Sequence, residues 1–475
     1  MRGIIASGAY IPHRRLDRRE ITALFGKGGG DGTRSVASFD EDTTTMGVEA
    51  ARNALRSAAG SRPDSLWFAT ATPAYLDKTN ATAIHAALRL DSSVGALDMG
   101  GAIRSGIGTL RTALTGNGTT LVVSADMRDG LATSADESNG GDGAAAMLVG
   151  DDTTAPVIAQ YLGSGVATDE MLERWRTPGG TRSRAWEERF GEVAYAPLMK
   201  QAIAAALDDA GVAPESIDHM IVTGLHGRAV RRNTRGLELD PEKVVDDLAS
   251  MVGNTGTAHP ALLLASFLDT AAPGETIAVM MLADGVEVIV LRVTDSIVEH
   301  RPAVPVADQL AAGGEVSYGK FLSWRGMTDV EPPNRPSPNR PSAAFAHRRN
   351  DWKFGFVATR DRSSGMIHMP PARVSQKGGA VDDMEPVVMA DTPGTVASFT
   401  IDKLVHSPSP PVVFAVVDFD GGGRAPLELT DVDPSDVSIG MRVMPTFRRM
   451  FTSDEIHNYF WKVRPLQSTE PGSEA

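Results

Sequence analysis

Along the first 160 residues, short apolar runs alternate with segments whose apolar positions recur every three to four residues. Continuous or period-two apolar runs suit buried strands, and the longer spacing suits amphipathic helices. GIIASGAYIP therefore predicts a strand and turn, TTTMGVEAARNALRSAA a helix, and SLWFATATPAY a buried strand running into a loop. NATAIHAALRL, VGALDM, SGIGTLRTALT, TTLVVSAD and GAAAMLVG follow as helix, strand, helix, strand and strand. A second series begins near residue 195. YAPLMKQAIAAALDDAGV predicts a helix, HMIVTGL a strand, DPEKVVDDLASMV and AHPALLLASFLDTA two helices, and TIAVMML with VEVIVLRV a closing hairpin. Such alternation implies an α/β sheet. The repeated element order implies two related halves, 1–160 and 161–300.

After residue 300 the pattern changes. SYGKFLSWRG predicts an amphipathic helix, and residues 327–350 are Pro- and Arg-rich without periodicity, so 301–350 reads as a helix plus an extended linker. WKFGFVAT, VASFTIDKLV, PPVVFAVVDFD, LELTDV and MRVMPTFRRMF then predict five short strands, a small β-barrel within 351–465. Residues 466–475 read as a disordered tail.

Composition narrows the chemistry. At 475 residues, with 42% hydrophobic and 22% charged side chains, the chain is a globular protein of more than one domain. Its net charge of −14 and the lack of a dense Lys/Arg block argue against a nucleic-acid partner. No apolar run reaches the roughly 18 residues of a membrane span. The N-terminal stretch does not read as a signal peptide, so a cytoplasmic location is expected. The sequence has no cysteine, which removes disulfides, thiolate metal sites and thiol nucleophiles together.

DEDTTTMGVEAARNAL (40–55), TATPAYLDKTNATAIHAAL (70–88), GDGAAAMLVG (141–150) and GNTGTAHPALLLASFLD (253–269) resemble the thiolase-fold superfamily. The nearest branch is that of the 3-hydroxy-3-methylglutaryl-CoA (HMG-CoA) synthase-like and ketoacyl-ACP-synthase-III-like enzymes. The resemblance spans about residues 1–297 and implies a duplicated, five-layered α/β fold acting on CoA thioesters as a homodimer. The C-terminal part resembles the zinc-ribbon plus OB-fold proteins that accompany acyl-CoA thiolases, which implies an OB-like barrel. The ribbon of that family sets two CxxC pairs around a Gly and Pro-Pro frame. Here RDRSSGMIHMPPARVSQKGG (360–379) keeps Gly365 and Pro370–Pro371 but has Asp361, Ser364, Ser375 and Gly378 at the cysteine positions. Four thiolates are what such spacing serves, so a degenerate, metal-free ribbon held by turns and packing is expected, with no zinc.

In the resembled synthases a Cys at the start of a buried helix forms the acyl-enzyme. The matching run DMGGAIRSG (98–106) puts Ile103 at that position when Gly106 is aligned, and a shift of one or two residues would put Arg104 or Ser105 there instead. The acid/base Glu of the synthase branch falls on Pro73. His226 in LHGR and Asn254 in GNTGTAHP match the family's His and Asn, which together form a hole for a developing oxyanion or enolate. His259 and Tyr75 are further proton-transfer candidates. Arg34 lies near the family's CoA entrance, and Arg228, Arg231 and Arg232 belong to the densest basic run before the linker, suited to CoA phosphates through the planar guanidinium fork. Three functions stay open. One is a Cys-less enzyme performing aldol, retro-aldol or decarboxylation chemistry on an acyl-CoA, as in the Cys-less, OB-paired aldolases that shorten steroid side chains. The second is an inactive scaffold whose OB domain docks a thiolase or hydratase. The third is an acyltransferase with a nucleophile other than Cys. Coenzyme A enters only as part of the substrate, and no tightly bound cofactor is expected.

Overall fold

A computed structural model describes residues 1–58, 60–180, 182–237 and 240–467, so most of the predicted disordered tail lies outside the described residues. The chain forms two compact units. One comprises Met1–Ala37, Glu49–Thr82 and Ser92–Phe321, the other Ser38–Val48, Ala83–Asp91 and Leu322–Ala475.

The first unit is built on a mixed sheet of nine strands. They are β1 (Arg2–Tyr10), β2 (Ser65–Ala69), β3 (Gly95–Asp98), β4 (Thr120–Asp126), β5 (Gly143–Asp151), β6 (Ala159–Thr168), β7 (His219–Gly224), β8 (Thr276–Leu282) and β9 (Gly285–Val293). Their spatial order is β3-β2-β4-β5-β1-β6-β9-β8-β7. Read outward from the β1–β6 junction, the two sides repeat one scheme. β4 is parallel to β2 and antiparallel to β5, and β5 is antiparallel to β1. On the other side β8 is parallel to β7 and antiparallel to β9, and β9 is antiparallel to β6. The duplication therefore lives in the hydrogen-bond pattern. The equivalent of β3 has shrunk on the second side to one parallel bridge, Met220 with Val244.

Two helices fill the space between the half-sheets, α1 (Ser105–Thr115) and α4 (His259–Leu268). α4 is apolar on nearly every side, as a helix buried all round must be. Its leucines join Ile107 and Leu110 of α1, Val122 and Met147 of the first half-sheet, and Val279 and Ile289 of the second. Along β8, Ile277, Val279 and Met281 enter this central core while Ala278, Met280 and Leu282 face an outer cluster with Met199 and Ala202 of α2 (Glu188–Ala210). Outer helices rest on the first strand of each half through glycine. A Cβ on Gly8 of β1 would stand 2.3 Å from the Ala54 nitrogen, and one on Gly165 of β6 would stand 2.0 Å from the Ala202 carbonyl.

Two expectations are corrected. DPEKVVDDLASMV is not a helix: only Pro241–Lys243 makes a short turn of 3-10 helix. Asp246 and Asp247 take the N–H groups of Leu248 and Ala249 at 2.9 Å, and side-chain capture of the backbone competes with helix formation. The predicted linker also carries short helices, Ala343–Arg348 and Asn350–Lys353, the first capped by the Ser342 side chain.

The second unit holds a three-stranded sheet, β10 (Val357–Asp361), β11 (Ile367–His368) and β12 (Met384–Val388). Beside these in sequence comes a closed barrel of β13 (Gly394–Asp402), β14 (Val412–Phe419), β15 (Arg424–Leu429), β16 (Arg442–Ser453) and β17 (Ile456–Pro465), in order β13-β14-β15-β17-β16. WKFGFVAT thus belongs to the small sheet, and the fifth barrel strand is β17. The barrel's wall includes buried charges. Arg448, which no solvent reaches, ion-pairs with Glu41 at 3.2 Å and Asp431 at 2.5 Å, and Lys462 with Asp40 at 2.9 Å and Glu428 at 2.7 Å. Asp40 is held well below the usual carboxylate range by the Lys462 and Arg448 charges, which outweigh its burial.

At the ribbon positions the side chains bond to one another. One Asp361 oxygen accepts from the Ser364 hydroxyl and from the Ser375 hydroxyl at 2.6 Å, and the other accepts from the Ser363 N–H and hydroxyl at 2.9 and 2.8 Å. Hydroxyl donors hold this carboxyl well below its ordinary range. Gly378 lies at φ +90°, a backbone a cysteine would strain to adopt. One carboxylate already satisfied by hydroxyls, with Ser364, Ser375 and Gly378 at the other three positions, does not fit a zinc ligand set. This hydrogen-bonded knot adds to the turns and packing expected to hold residues 360–379.

Candidate functional site

Strand ends of the first unit deliver the site. Ile103 precedes α1 and packs partly into the central core, and it lines a cavity of about 270 Å³. The approach of α1 is set by Gly106, where a Cβ would stand 2.1 Å from the Thr257 carbonyl. His226, just past β7, lines the same cavity. Neither of its ring nitrogens has a hydrogen-bond partner among the described residues, and Nδ1 lies 3.6 Å from Oε1 of Glu173. Glu173 is buried at 8% exposure in the segment after β6. Its carboxylate also meets the phenol of Tyr195 on α2, whose pKa is driven well above the ordinary value by burial and by that carboxylate. Gly191 leaves room for it, since a Cβ there would lie 2.8 Å from the Glu173 carboxyl carbon. Tyr195, Glu173 and His226 thus form a buried chain ending at the cavity.

A second cavity of about 410 Å³ shares His226, Arg128 and Arg174 with the first, and brings together Asn254 and His259. Sequence reasoning expected His226 and Asn254 to converge, and both stand on this wall. The Asn254 amide, however, is engaged: Nδ2 donates to the Gly224 carbonyl at 3.1 Å, and Oδ1 accepts from the Gly256 N–H at 2.8 Å. His259 is fully buried, and burial lowers its pKa to about 4. Its Nδ1 faces the Thr255 N–H and hydroxyl at 3.4 and 3.3 Å, so it is a neutral imidazole held inside.

The remaining candidates separate. Tyr75 sits in the loop after β2, its N–H donating to Asn80 at 3.0 Å, and lines neither cavity. The Ser105 hydroxyl donates to the Gly100 carbonyl at 3.3 Å, and Ile103 rather than Ser105 stands on the cavity wall. Arg34 is not at an entrance. It is wholly buried, donating to the Glu137 and Arg128 carbonyls at 2.5 and 2.8 Å and lying over the Phe321 ring. Arg228 and Arg231 are exposed on α3 (Gly227–Arg235) and line the larger cavity, whereas Arg232 pairs with Glu192 at 3.6 Å.

Missed from sequence were Glu173, Arg128, Arg174 and Arg176, which all line the smaller cavity. DEMLERWRTPGG (169–180) shows neither period two nor 3.6, and it joins the site only through tertiary packing. Among the described residues no cluster of three or more His, Asp or Glu side chains could hold a metal ion. No helix there is long and apolar enough to cross a membrane.

Both parts of the chain are similar to known proteins. Residues 207–291 match the family described as 3-oxoacyl-[acyl-carrier-protein] synthase III C terminal, and residues 387–448 match the C-terminal OB-fold domain of ChsH2. A hydroxymethylglutaryl-CoA synthase of Aeropyrum pernix is 30% identical over 350 residues, covering 69% of this chain and 95% of that protein. The enzyme of the same name from Methanopyrus kandleri is 28% identical, covering 68% and 97%. A crystal structure of HMG-CoA synthase complexed with CoA superposes with TM-score 0.59 at 18% identity, covering 68% of this chain and 90% of that one. A 3-oxoacyl-[acyl-carrier-protein] synthase III from Aquifex aeolicus superposes with TM-score 0.53 at 22% identity, covering 62% and 100%.

Proposed function

Because this chain belongs to the hydroxymethylglutaryl-CoA synthase family and carries a C-terminal OB-fold domain, we propose that it binds an acyl-CoA thioester beside Ile103 and His226 and acts on it without a covalent acyl-enzyme. One observation carries the reading. At the helix start where the resembled synthases hold their nucleophile stands a hydrocarbon side chain, facing a cavity whose imidazole has two unpartnered nitrogens and a buried carboxylate behind it.

A Glu–His pair of this kind moves protons, with the carboxylate fixing the ring's orientation. In a retro-aldol step His226 takes the proton of a 3-hydroxyacyl thioester's hydroxyl and the Cα–Cβ bond breaks. Cβ leaves as a carbonyl, and the electron pair rests on the thioester as its enolate. The imidazolium then returns the proton to Cα. The aldol direction reverses these steps. Glu173 and Tyr195 position the ring. Arg228 and Arg231, at the mouth of the larger cavity, suit the CoA phosphates.

Support for an oligomer comes from β3, which ends the sheet with Leu97 at 42% exposure and no strand on its outer side among the described residues. An open edge of this kind invites pairing with a second copy, and the proposal includes a homodimer. No zinc takes part.

The test is incubation of the purified chain with 3-hydroxyacyl-CoA and 3-ketoacyl-CoA panels. Turnover is expected, falling about 100-fold or more in His226→Ala. If no thioester binds or reacts and His226→Ala changes nothing, the reading fails. A second reading, an inactive scaffold for a partner enzyme, draws on Pro73 and on the engaged Asn254 amide. It expects binding without turnover.

A further inference from the structure

We propose that the smaller cavity selects acyl groups bearing a carboxylate, with Arg128 and Arg176 as the anion-binding pair. This inference rests on the thioester reading above and names the class of acyl chain.

Three arginines line the cavity, and only one has a committed counter-charge. Arg174 makes two contacts to Asp136, at 2.8 and 2.9 Å. Arg128 is buried at 7% exposure, and its single carboxylate neighbour among the described residues is Asp126, at 3.8 Å. That carboxylate is already saturated. Oδ1 accepts from the Thr70 hydroxyl, the Ala71 N–H and the Thr72 hydroxyl at 3.1, 2.7 and 3.1 Å, and Oδ2 from the Thr257 N–H and hydroxyl at 2.8 and 2.6 Å. A carboxylate offers about four lone-pair sites, so Asp126 organises this loop and has little left for Arg128. Arg176 donates to the Ala71 carbonyl at 2.5 Å and has no carboxylate within ion-pair distance among the described residues. Burial and the like charge of Arg128 push its pKa down, against the opposing pull of Asp126, Asp129 and Asp136.

The acidic groups on the wall are turned to other work. Glu173 faces Tyr195 and His226. Asp284 is exposed in the β8–β9 turn, and burial of its carboxyl raises its pKa, an effect the Arg104 charge only partly offsets. Ile103, Leu225 and Leu282 supply apolar wall for the methylenes between the thioester and the far charge. Two guanidinium forks with unclaimed N–H donors match a planar carboxylate. A neutral acyl chain would leave them unpaired, which is the basis of discrimination.

Isothermal titration of the full-length protein with glutaryl-CoA and pentanoyl-CoA tests this, since the two chains have equal carbon number and differ in the terminal carboxylate. Glutaryl-CoA is expected to bind about 10- to 100-fold tighter. Arg176→Met should bring glutaryl-CoA to the level of pentanoyl-CoA, erasing the preference. Arg176→Lys, which keeps the charge without the fork, should retain part of the preference and shows that the fold survives substitution there. Equal binding of the two thioesters by the parent protein overturns the carboxylate inference and leaves the thioester reading standing. Binding of neither overturns both.

Discussion

At the scale of single residues, the site is a set of side chains whose neighbours dictate what they can do. Among the described residues His226 is the imidazole on the cavity wall whose ring nitrogens have no hydrogen-bond partner, whereas His259 is locked inside as a neutral ring. The depressed pKa of His259 has a stability consequence. Its neutral form is favoured in the folded state, so the associated stability is complete above the unfolded value of 6.5 and is lost as pH falls toward about 4. Asp269 opposes this trend, since burial raises its pKa from 3.8 to about 6 and folding then weakens as pH rises through that window. The readout is therefore the difference between parent and His259→Gln unfolding curves, expected to shrink by roughly 3 kcal/mol from pH 7 to pH 4. Gly191→Ala tests the support of Glu173: a methyl 2.8 Å from the carboxyl carbon must displace it, and turnover should fall with little loss of CoA binding. Ile103, His226 and Asn254 could be found in sequence because they sit in short ordered motifs. Glu173 and Arg176 could not, because they lie in a segment without periodicity, and Arg128, two residues past β4, carries no motif of its own. Arg34 misled for the converse reason, a glycine-rich neighbourhood that looks like surface but delivers its side chain to the interior.

At the scale of elements, period-two and period-3.6 patterns marked most strands and the two central helices, including α1 to the residue. β6 escaped notice because Gly163 and Gly165, needed so that the α2 backbone can lie on the strand, dilute its apolar pattern. The segment after Asp240 misled in the other direction, since its apolar spacing suits a helix while Asp246 and Asp247 divert the backbone. Asp361, Ser364 and Ser375, which the resemblance aligns with ribbon cysteines, bond to each other. Because the Asp361 pKa is depressed, the knot's contribution is present above the carboxyl's unfolded value and is lost on acidification below it. Ser375→Ala removes one buried donor and should destabilise the second unit by about 1–2 kcal/mol in denaturant melts, with no response to added zinc in parent or variant.

At the scale of the molecule, the net charge of −14 conceals cations placed deliberately inside each unit. In the second unit, Arg448→Met leaves Glu41 and Asp431 facing an uncharged side chain, and a loss of about 3–5 kcal/mol is expected in chemical unfolding followed by tryptophan fluorescence. In the first unit, light scattering should give twice the chain mass, and a charge placed on β3 by Leu97→Lys should favour the monomer. The central claim is that a CoA ester brings its acyl end to Ile103. A chain without cysteine gives this claim a clean probe, because Ile103→Cys introduces the sole thiol. After incubation with acetyl-CoA, intact mass spectrometry should show one acetyl group on the variant and none on the parent. A thiol that iodoacetamide alkylates in the folded variant but that acetyl-CoA never acylates would contradict the account.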